Sequence, residues 1–258
     1  MKAVILAAGQ GTRLRPLTDD RPKCLVELAG VSLLQRQCTI LREAGIADIT
    51  IVAGYRAEKF SPDGCRILHN PDYASTNMVA TLFCAQEVLT GETDVIVSYG
   101  DIVYETRVLE SVMACSAPVC LPIDIAWRSY WECRLADPLQ DAETLKLDSQ
   151  GCVRELGKKP RSYDEIQGQY MGLFKVRTDC VAKLFQIYTA MDRTARYDGK
   201  DFANMYMTSF LQHLIDIGWT VQSVSVKNGW LEVDTIEDLH LYERMHADGS
   251  LNRFCKLS

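Results

Sequence analysis

The sequence of 258 residues lacks the features that membrane, nucleic-acid-binding and secreted proteins usually carry. It has no apolar run near the roughly 18 residues that a membrane span requires. Its net charge is −6, whereas nonspecific nucleic-acid binding draws on a basic surface. The apolar stretch after Met1 and Lys2 is short and ends at a glycine, unlike a secretory signal. We therefore expect a soluble, cytoplasmic protein with neither membrane nor nucleic-acid partners.

The ten cysteines lack the spacing of a metal site or of a disulfide framework. None belongs to a CxxC pair, and no histidine pair lies near them. Reduced thiols are therefore the expectation. The four histidines show no arrangement with serine, cysteine or aspartate that would indicate nucleophilic catalysis.

The first half of the chain does contain a regular alternation of strand-like and helix-like segments. Hydrophobic residues make up 47% of the sequence, enough for a sizeable core. The alternation predicts an α/β protein with a parallel, doubly wound sheet. The predicted strands cover residues 2–7, 48–54, 66–70, 94–101 and 117–123, and the predicted helices cover residues 32–44, 78–89 and 105–114.

From about residue 124 this rhythm changes. Residues 124–177 alternate short strand-like pieces with turns. The later elements predicted are helices near 178–191 and 203–217, a strand near 220–226 and the segment 230–245. Because no linker, low-complexity segment or repeat divides the sequence, we predict a single domain over residues 1–258.

The segment LAAGQGTRLRPLTDDRPKCLVEL, residues 6–28, places two glycines and several basic side chains in an otherwise acidic chain. Small residues after a strand are typical of phosphate binding, because they let backbone N–H groups approach an anion closely. The chain has no G-x-x-x-x-G-K-[ST] loop, and Leu14 stands where G-x-G-x-x-G needs its third glycine. Residues 6–23 satisfy a third pattern throughout, L-A-A-G-x-G-[ST]-R-L-x-P-L-T-x-x-x-P-K.

This segment resembles the signature of the nucleotidyltransferases that activate sugar phosphates and phosphocholine. The resemblance implies a Rossmann-like, doubly wound mixed sheet of the nucleotide-diphospho-sugar transferase type with an embedded acceptor-binding region. It places nucleotide binding at about residues 1–123 and acceptor binding at about 124–235. Arg13 is implied to contact the β- and γ-phosphates, and Lys23 the α-phosphorus region and the incoming phosphate. The implied nucleotide-binding residues are Leu6, Ala7, Ala8, Gly9, Gly11, Thr12, Tyr73, Asn77 and Gly100.

Three carboxylates are candidate magnesium ligands. Asp101, in SYGD, and Asp234, in WLEVDTIEDL, match the two metal-binding aspartates of the family. Glu232 lies two residues before Asp234, so on a strand the two side chains would share a face. Oxygen ligands of this kind suit Mg²⁺. Alone, an Asp after a strand is often only a turn former.

The acceptor site is predicted around the aromatic segment IDIAWRSYWECR, residues 123–134. Aromatic faces and a carboxylate together can hold a quaternary ammonium, although aromatics at helical spacing mostly pack in cores. Asn77, in a segment that resembles phosphocholine-type cytidylyltransferases, is implied to help read cytosine and would also suit a helix N-cap. The predicted acceptor-binding residues are Trp127 and Tyr206, from their aromatic rings, and Asp124, Trp131 and Lys159, which the resemblance implies.

The resulting hypothesis is a Mg²⁺-dependent cytidylyltransferase. It would transfer CMP from CTP to phosphocholine, an aminoethylphosphonate or a phosphorylated amino acid amide, releasing pyrophosphate. One alternative is a sugar-1-phosphate nucleotidyltransferase that uses UTP, dTTP or GTP, but Val233-Asp234-Thr235 replaces the D-x-G-T of that branch. The other is a noncatalytic nucleotide-binding homologue. A homodimer is considered, although no sequence feature decides the oligomeric state.

Overall fold

The protein is described here by a computed structural model covering residues 1–61 and 64–257. The strands are β1 (Lys2–Ala7), β2 (Glu27–Leu28), β3 (Val31–Ser32), β4 (Asp48–Ala53), β5 (Arg66–His69), β6 (Val95–Tyr99), β7 (Ile102–Tyr104), β8 (Val119–Asp124), β9 (Leu145–Leu147), β10 (Val153–Leu156), β11 (Gln169–Tyr170), β12 (Leu173–Val176), β13 (Val221–Val226) and β14 (Trp230–Glu232). The α-helices are α1 (Leu33–Glu43), α2 (Met78–Phe83), α3 (Thr106–Ala114), α4 (Trp127–Arg134), α5 (Thr178–Ala190), α6 (Met207–Asp216) and α7 (Ile236–Ala247).

Strand β1 lies near the middle of an eight-stranded mixed sheet. It pairs in parallel with β4 on one side and β6 on the other, and β4 pairs in parallel with β5. Its side chains alternate between two cores, with Ile5 in one and Val4 and Leu6 in the other. Because both faces are covered, the strand is apolar throughout rather than alternating with polar residues.

The sheet is mixed because β12 runs antiparallel to its neighbours. It lies between β6 and β8, and β11 continues the same antiparallel pairing along β8. Strand β13 then pairs with β8 in parallel. The mixed α/β sheet implied by the resemblance is confirmed, whereas the purely parallel sheet predicted from the alternation is wrong at β11 and β12. Strands before and after residue 124 therefore belong to one sheet.

Two elements differ from the sequence-based prediction in ways that matter for the site. Helix α2 ends at Phe83 instead of continuing to residue 89, and consecutive turns bury Ala85, Val88 and Leu89 in the same core. The buried apolar residues after Phe83 are therefore spaced by turns, although their spacing in the sequence resembles that of a helix. The strand predicted over residues 94–101 ends at Tyr99, as β6, and the separate strand β7 follows it. Strand β7 pairs antiparallel with β14, which aligns Ile102 with Glu232.

Within the residues that the structure describes, no helix is both long enough and apolar enough to traverse a bilayer.

Gly54, directly after β4, lies in a tightly packed region at the carboxyl end of the strand. A Cβ at this position would lie 2.6 Å from the Cβ of Tyr73 and 2.8 Å from the carbonyl oxygen of Ala8. We predict that Gly54→Ala lowers the free energy of unfolding by about 1–3 kcal/mol, because either the backbone or Tyr73 must shift. The measurement is urea unfolding followed by circular dichroism.

Gly9→Ala is the matched control, since a Cβ at Gly9 meets no atom within 4 Å. Equal unfolding free energies for the two variants would contradict the packing argument.

Candidate active site

The carboxyl ends of β1 and β6 meet at one edge of the sheet and form the floor of a cavity of about 150 Å³. The Gly100 N–H donates to the Leu6 carbonyl over 2.9 Å, and a Cβ at Gly100 would lie 2.8 Å from that oxygen. Only glycine allows the two strand ends to approach so closely. The cavity is lined by Leu6, Ala7, Ala8, Gly9, Lys23, Cys24, Tyr73, Thr76, Asn77, Met78, Thr81, Tyr99, Gly100 and Asp101.

The glycine loop directs Lys23 toward this cavity. Gly11 has a φ of +63°, and a Cβ there would lie 2.9 Å from the Cβ of Lys23. The Thr18 hydroxyl donates to the Gly11 carbonyl over 2.8 Å and folds the loop onto itself. Among the described residues, Gly11 and Thr12 do not line the cavity, and Thr12 begins a short 3-10 helix that follows Gly11.

Lys23 joins two of the three predicted metal ligands. Its Nζ donates to Oδ2 of Asp101 over 2.8 Å and to Oδ1 of Asp234 over 2.6 Å. Arg13, whose side chain is 63% exposed, places a guanidinium nitrogen 2.5 Å from the other Asp234 oxygen. Carboxylate oxygens of Asp101, Glu232 and Asp234 lie within 4.8 Å of one another. The pairing of β7 with β14 therefore assembles the acidic group predicted from the sequence.

The charges in this group perturb one another strongly. Burial opposes the charge on Lys23, but the carboxylates of Asp101 and Asp234 outweigh it and raise the pKa of Lys23. Burial likewise opposes ionisation of Asp234, yet Lys23 and Arg13 hold the pKa of Asp234 below its usual value. Burial raises the pKa of Glu232 to about 7, with Arg134 partly offsetting the rise. Lys23 is thus held as an ammonium ion.

A buried ion pair behind the acidic group holds it in place. The Arg134 guanidinium binds Asp238 at 2.9 Å and also lies 3.4 Å from Glu232. The same Asp238 carboxylate accepts the backbone N–H groups of Asp234 and Thr235, at 3.1 and 3.0 Å. Asp238 and Thr235 form a capping box at the start of α7. The role of Arg134 carries no recognisable sequence signal.

A second cavity, of about 200 Å³, lies beside the first. Asn77, Met78 and Tyr99 line both, and Glu232 lines the second. The remaining walls of the second cavity are formed by Ile102, Trp131, Asp141, Glu143, Gln169, Tyr170, Met171, Gly172, Tyr206, Met207, Thr208 and Trp230. The two cavities adjoin, and both have members of the acidic group in their walls, Asp101 in the first and Glu232 in the second.

The structure brings Trp131 and Tyr206 to the second cavity but places three other predicted acceptor residues elsewhere. Asp124 is fully buried and accepts hydrogen bonds from the backbone of Ala126 and from the Trp230 indole, so an acceptor has no access to it. Trp127 packs in the core. Lys159 is exposed and donates to backbone carbonyls, outside both cavities. The expectation that Asp124, Trp127 and Lys159 contact the acceptor is therefore not supported.

Asn77 is both the N-cap of α2 and part of the cavity walls. Its Oδ1 accepts the Met78 N–H over 2.8 Å as the N-cap of α2, and the residue also lines both cavities. Tyr73 lines the first cavity only. Glu143 and Gln169 were not predicted from the sequence as cavity residues, because both lie in a region of short strands and turns without a recognisable motif.

A family model for the MobA-like NTP transferase domain matches residues 3–186. The chain belongs to this family. It is 40% identical over 250 residues to the CTP:phosphoglutamine cytidylyltransferase of Campylobacter jejuni, spanning 93% of this chain and 98% of that protein. A choline-phosphate cytidylyltransferase of Streptococcus pneumoniae is 44% identical over 93 residues, which cover 34% of this chain and 41% of that protein. The assignment to the nucleotidyltransferase superfamily is thereby confirmed.

Solved structures share the fold of this MobA-like chain. The inositol-1-phosphate CTP transferase from T. maritima superimposes with a TM-score of 0.73 at 19% identity, covering 95% of each chain. The CTP:phosphocholine cytidylyltransferase from Streptococcus pneumoniae gives 0.68 at 22% identity, covering 95% of this chain and 98% of that one. At these identities the likeness concerns the fold alone.

The buried pair of Arg134 and Asp238 yields a stability prediction. The two side chains are only 4% and 6% exposed, so removing one leaves an uncompensated buried charge. We predict that Arg134→Met lowers the free energy of unfolding by about 3–5 kcal/mol, measured by urea denaturation.

Arg128→Met is the control on the same helix, because Arg128 forms an exposed pair with Glu132. That variant should change stability far less. A loss as large for Arg128→Met as for Arg134→Met would refute the role given to the buried pair.

Glu143 yields a pH prediction. Burial and the neighbouring charges of Asp141 and Asp198 raise its pKa from 4.5 to about 7, against a hydrogen bond to Thr208. The folded protein then binds the proton more tightly than the unfolded chain, so stability falls as pH rises from 4.5 to 7. Glu143→Gln should remove on the order of 1–3 kcal/mol of that fall.

Urea denaturation at several pH values measures this difference, with Glu110→Gln, an exposed change on α3, as control. Parallel pH profiles for wild type and Glu143→Gln would show that Glu143 titrates normally.

Proposed function

We propose that this protein is a Mg²⁺-dependent cytidylyltransferase that transfers CMP from CTP to a small phosphorylated or phosphonate amino compound and releases pyrophosphate. The observation that carries the proposal is Lys23, which lines the first cavity and is held between Asp101 and Asp234. The cytidylyltransferase assignment follows the 40% identity over 93% of the chain to an enzyme of that class. Relatives matched over shorter stretches act on choline phosphate and on 2-aminoethylphosphonate.

The acidic group fits a divalent metal. It offers carboxylate oxygens from Asp101, Glu232 and Asp234, the donors that Mg²⁺ prefers. The Oδ1 atom of Asp101 is buried and has no hydrogen-bond partner among the described residues, so one donor is left for a cation. A bound Mg²⁺ would neutralise charge on the phosphates of both substrates. We propose these three residues as its ligands.

The residues of the chain would act by positioning and by charge. The backbone of residues 6–9 and Gly100 would bind CTP in the first cavity, with Asn77 beside the base. Arg13 is exposed beside Asp234 and would bind the departing pyrophosphate, whereas Lys23 would bind at the α-phosphate and draw in the acceptor. An acceptor phosphate is already ionised near neutral pH, so the transfer needs no general base. In-line attack on the α-phosphorus then follows from the juxtaposition.

We further propose a division of the chain between the two substrates, a cytoplasmic location and a homodimer. A nucleotide-binding part of about residues 1–123 and an acceptor-binding part of about 124–235 agree with the cavity walls, although Asn77, Met78 and Tyr99 belong to both. The thiols of Cys24, Cys120 and Cys180 are buried and unbridged, which is compatible with the cytoplasm. The homodimer remains a prediction without a structural argument.

The experiment that tests the function is pyrophosphate release with CTP, UTP, GTP or dTTP, each with Mg²⁺. The acceptor panel contains phosphocholine, 2-aminoethylphosphonate, phosphoglutamine and sugar 1-phosphates. We expect turnover with CTP and an amino-group-bearing acceptor, and its loss when the metal is chelated. Turnover only with a sugar 1-phosphate would favour the alternative branch, and no turnover with any pair would favour the noncatalytic homologue.

Lys23 and Asp101 should then affect turnover more than CTP binding. We expect Lys23→Ala and Asp101→Asn each to lower kcat at least about 100-fold, because each removes a charge that acts on the transferred phosphate. Lys183→Ala, an exposed change on α5, is the control and should leave kcat unchanged. Full activity in either site variant would overturn the site assignment.

A further inference from the structure

We infer that Tyr130 and Tyr242 are positioning residues for Glu232, and that the affinity of the acidic group for its metal depends on their two hydroxyls. The inference rests on the proposed function, because that proposal makes Glu232 a ligand of Mg²⁺. It goes further by naming the residues that fix where this ligand lies. Neither tyrosine is among the described residues that line the two cavities, so their contribution passes through Glu232.

Glu232 lies on the open edge of a short strand. Strand β14 pairs with β7 along one side, where the Val233 N–H donates to the Asp101 carbonyl over 3.0 Å. Because the backbone groups of successive residues in a strand point to opposite sides, the N–H and C=O of Glu232 point away from β7. Within the described part of the chain, no second strand pairs with β14 on that side. These two backbone groups therefore need other partners.

The two tyrosine hydroxyls are those partners. The Glu232 N–H donates to Tyr130 Oη over 2.9 Å, and the Tyr242 hydroxyl donates to the Glu232 carbonyl over 3.0 Å. The two Oη atoms lie 2.6 Å apart, whereas Tyr130 Oη lies 3.4 Å from that carbonyl. An amide N–H can only donate and a carbonyl can only accept, so the Tyr242 hydrogen is used on the carbonyl and the Tyr130 hydrogen points at Tyr242. The three residues thus form a closed ring of hydrogen bonds in which each hydroxyl donates once and accepts once.

Burial makes this ring of hydrogen bonds costly to break. Each of the two tyrosines is only 1% exposed. The aromatic ring of Tyr130 packs against those of Trp131, Trp230 and Phe254 at centroid distances of 5.3 to 5.7 Å. Water cannot replace a lost hydroxyl there, so removing one leaves a backbone group of Glu232 unpaired. Phenylalanine would fill nearly the same space, so packing alone does not account for the hydroxyls.

The helix that carries Tyr130 also holds the carboxylate of Glu232. Arg134 lies one turn later on α4, and its guanidinium is 3.4 Å from Glu232 Oε2. The Glu232 side chain is nevertheless 27% exposed, so a cation can reach it. Mg²⁺ demands nearly ideal octahedral geometry, and groups that orient its ligands therefore affect how tightly it binds. A shift of the Glu232 backbone would move the carboxylate relative to the other two ligands.

The test is the binding of Mn²⁺, followed by the EPR signal of the free ion, which requires no turnover. Mn²⁺ prefers the same oxygen ligands as Mg²⁺. The protein is saturated with a nonhydrolysable CTP analogue. We expect Tyr242→Phe to raise the Kd for Mn²⁺ about tenfold, because the unpaired Glu232 carbonyl releases the ligand from its position. With the metal chelated, the affinity for the CTP analogue should stay at the wild-type value, whereas a general loss of structure would lower it.

A double-mutant cycle shows whether the hydroxyl acts through Glu232. In a Glu232→Gln background, Tyr242→Phe should change the Kd for Mn²⁺ by less than about twofold, because the ligand that the hydroxyl positions is already altered. Tyr130→Phe breaks the same ring and should give the same pattern, so it decides the question if Tyr242→Phe does not fold. Tyr197→Phe is the control: its hydroxyl donates to the Asp192 carbonyl over 2.8 Å, away from both cavities, and its loss should leave the Kd unchanged.

A wild-type Kd in Tyr242→Phe and Tyr130→Phe, or an equal loss of affinity in both backgrounds, would overturn the inference. Those results would leave the cytidylyltransferase proposal intact, because CTP-dependent pyrophosphate release tests it separately. A wild-type protein that binds no Mn²⁺ would instead refute the proposed metal ligands, and this inference with them.

Discussion

The main constraint on this structure is that the mutual repulsion of three carboxylates must be compensated by nearby cations. Asp101, Glu232 and Asp234 bring negative charges within 4.8 Å of one another in a partly buried position. Coulomb repulsion at that distance in a medium of reduced dielectric disfavours full ionisation. Lys23 is inserted among them, and the raised pKa of Lys23 and lowered pKa of Asp234 are two expressions of the same attraction. Glu232, where the compensation is weaker, retains a raised pKa.

This arrangement explains why distant parts of the chain are tied together at one sheet edge. Lys23 comes from the glycine loop, Asp101 follows β6, and Asp234 follows β14, which is anchored to the sheet edge through β7. The Arg134–Asp238 pair then joins α4 to α7 behind the acidic group. A site with so many charges close together needs compensating charges and hydrogen bonds from several elements. Buried polar side chains of the chain provide many of them.

The residues predicted for nucleotide binding at the ends of β1 and β6 come together in one cavity, whereas most of those predicted for the acceptor do not. Residues 6–9, Gly100 and Asp101 lie together because they follow the ends of two parallel strands, which short local patterns reveal. Trp127 was assigned from the aromatic composition of its segment and Asp124 also from the resemblance. In the structure Asp124 accepts hydrogen bonds from backbone N–H groups and the Trp230 indole, and Trp127 packs against Trp131. Polar and aromatic residues that stabilise a core have the same composition as those of a binding site. Only the fold distinguishes them.

The wall residues of the second cavity illustrate why this side of the site is hard to read from a sequence. The backbone of Glu143 is held through two hydrogen bonds by Gln169, which lies 26 positions later. No local spacing records that contact, because β11 reaches Glu143 only after the chain has turned back along β8. The transfer chemistry can be encoded in a compact loop since it acts on phosphates that every substrate pair shares. The walls of the second cavity come instead from residues far apart in the chain, so no short local pattern describes them.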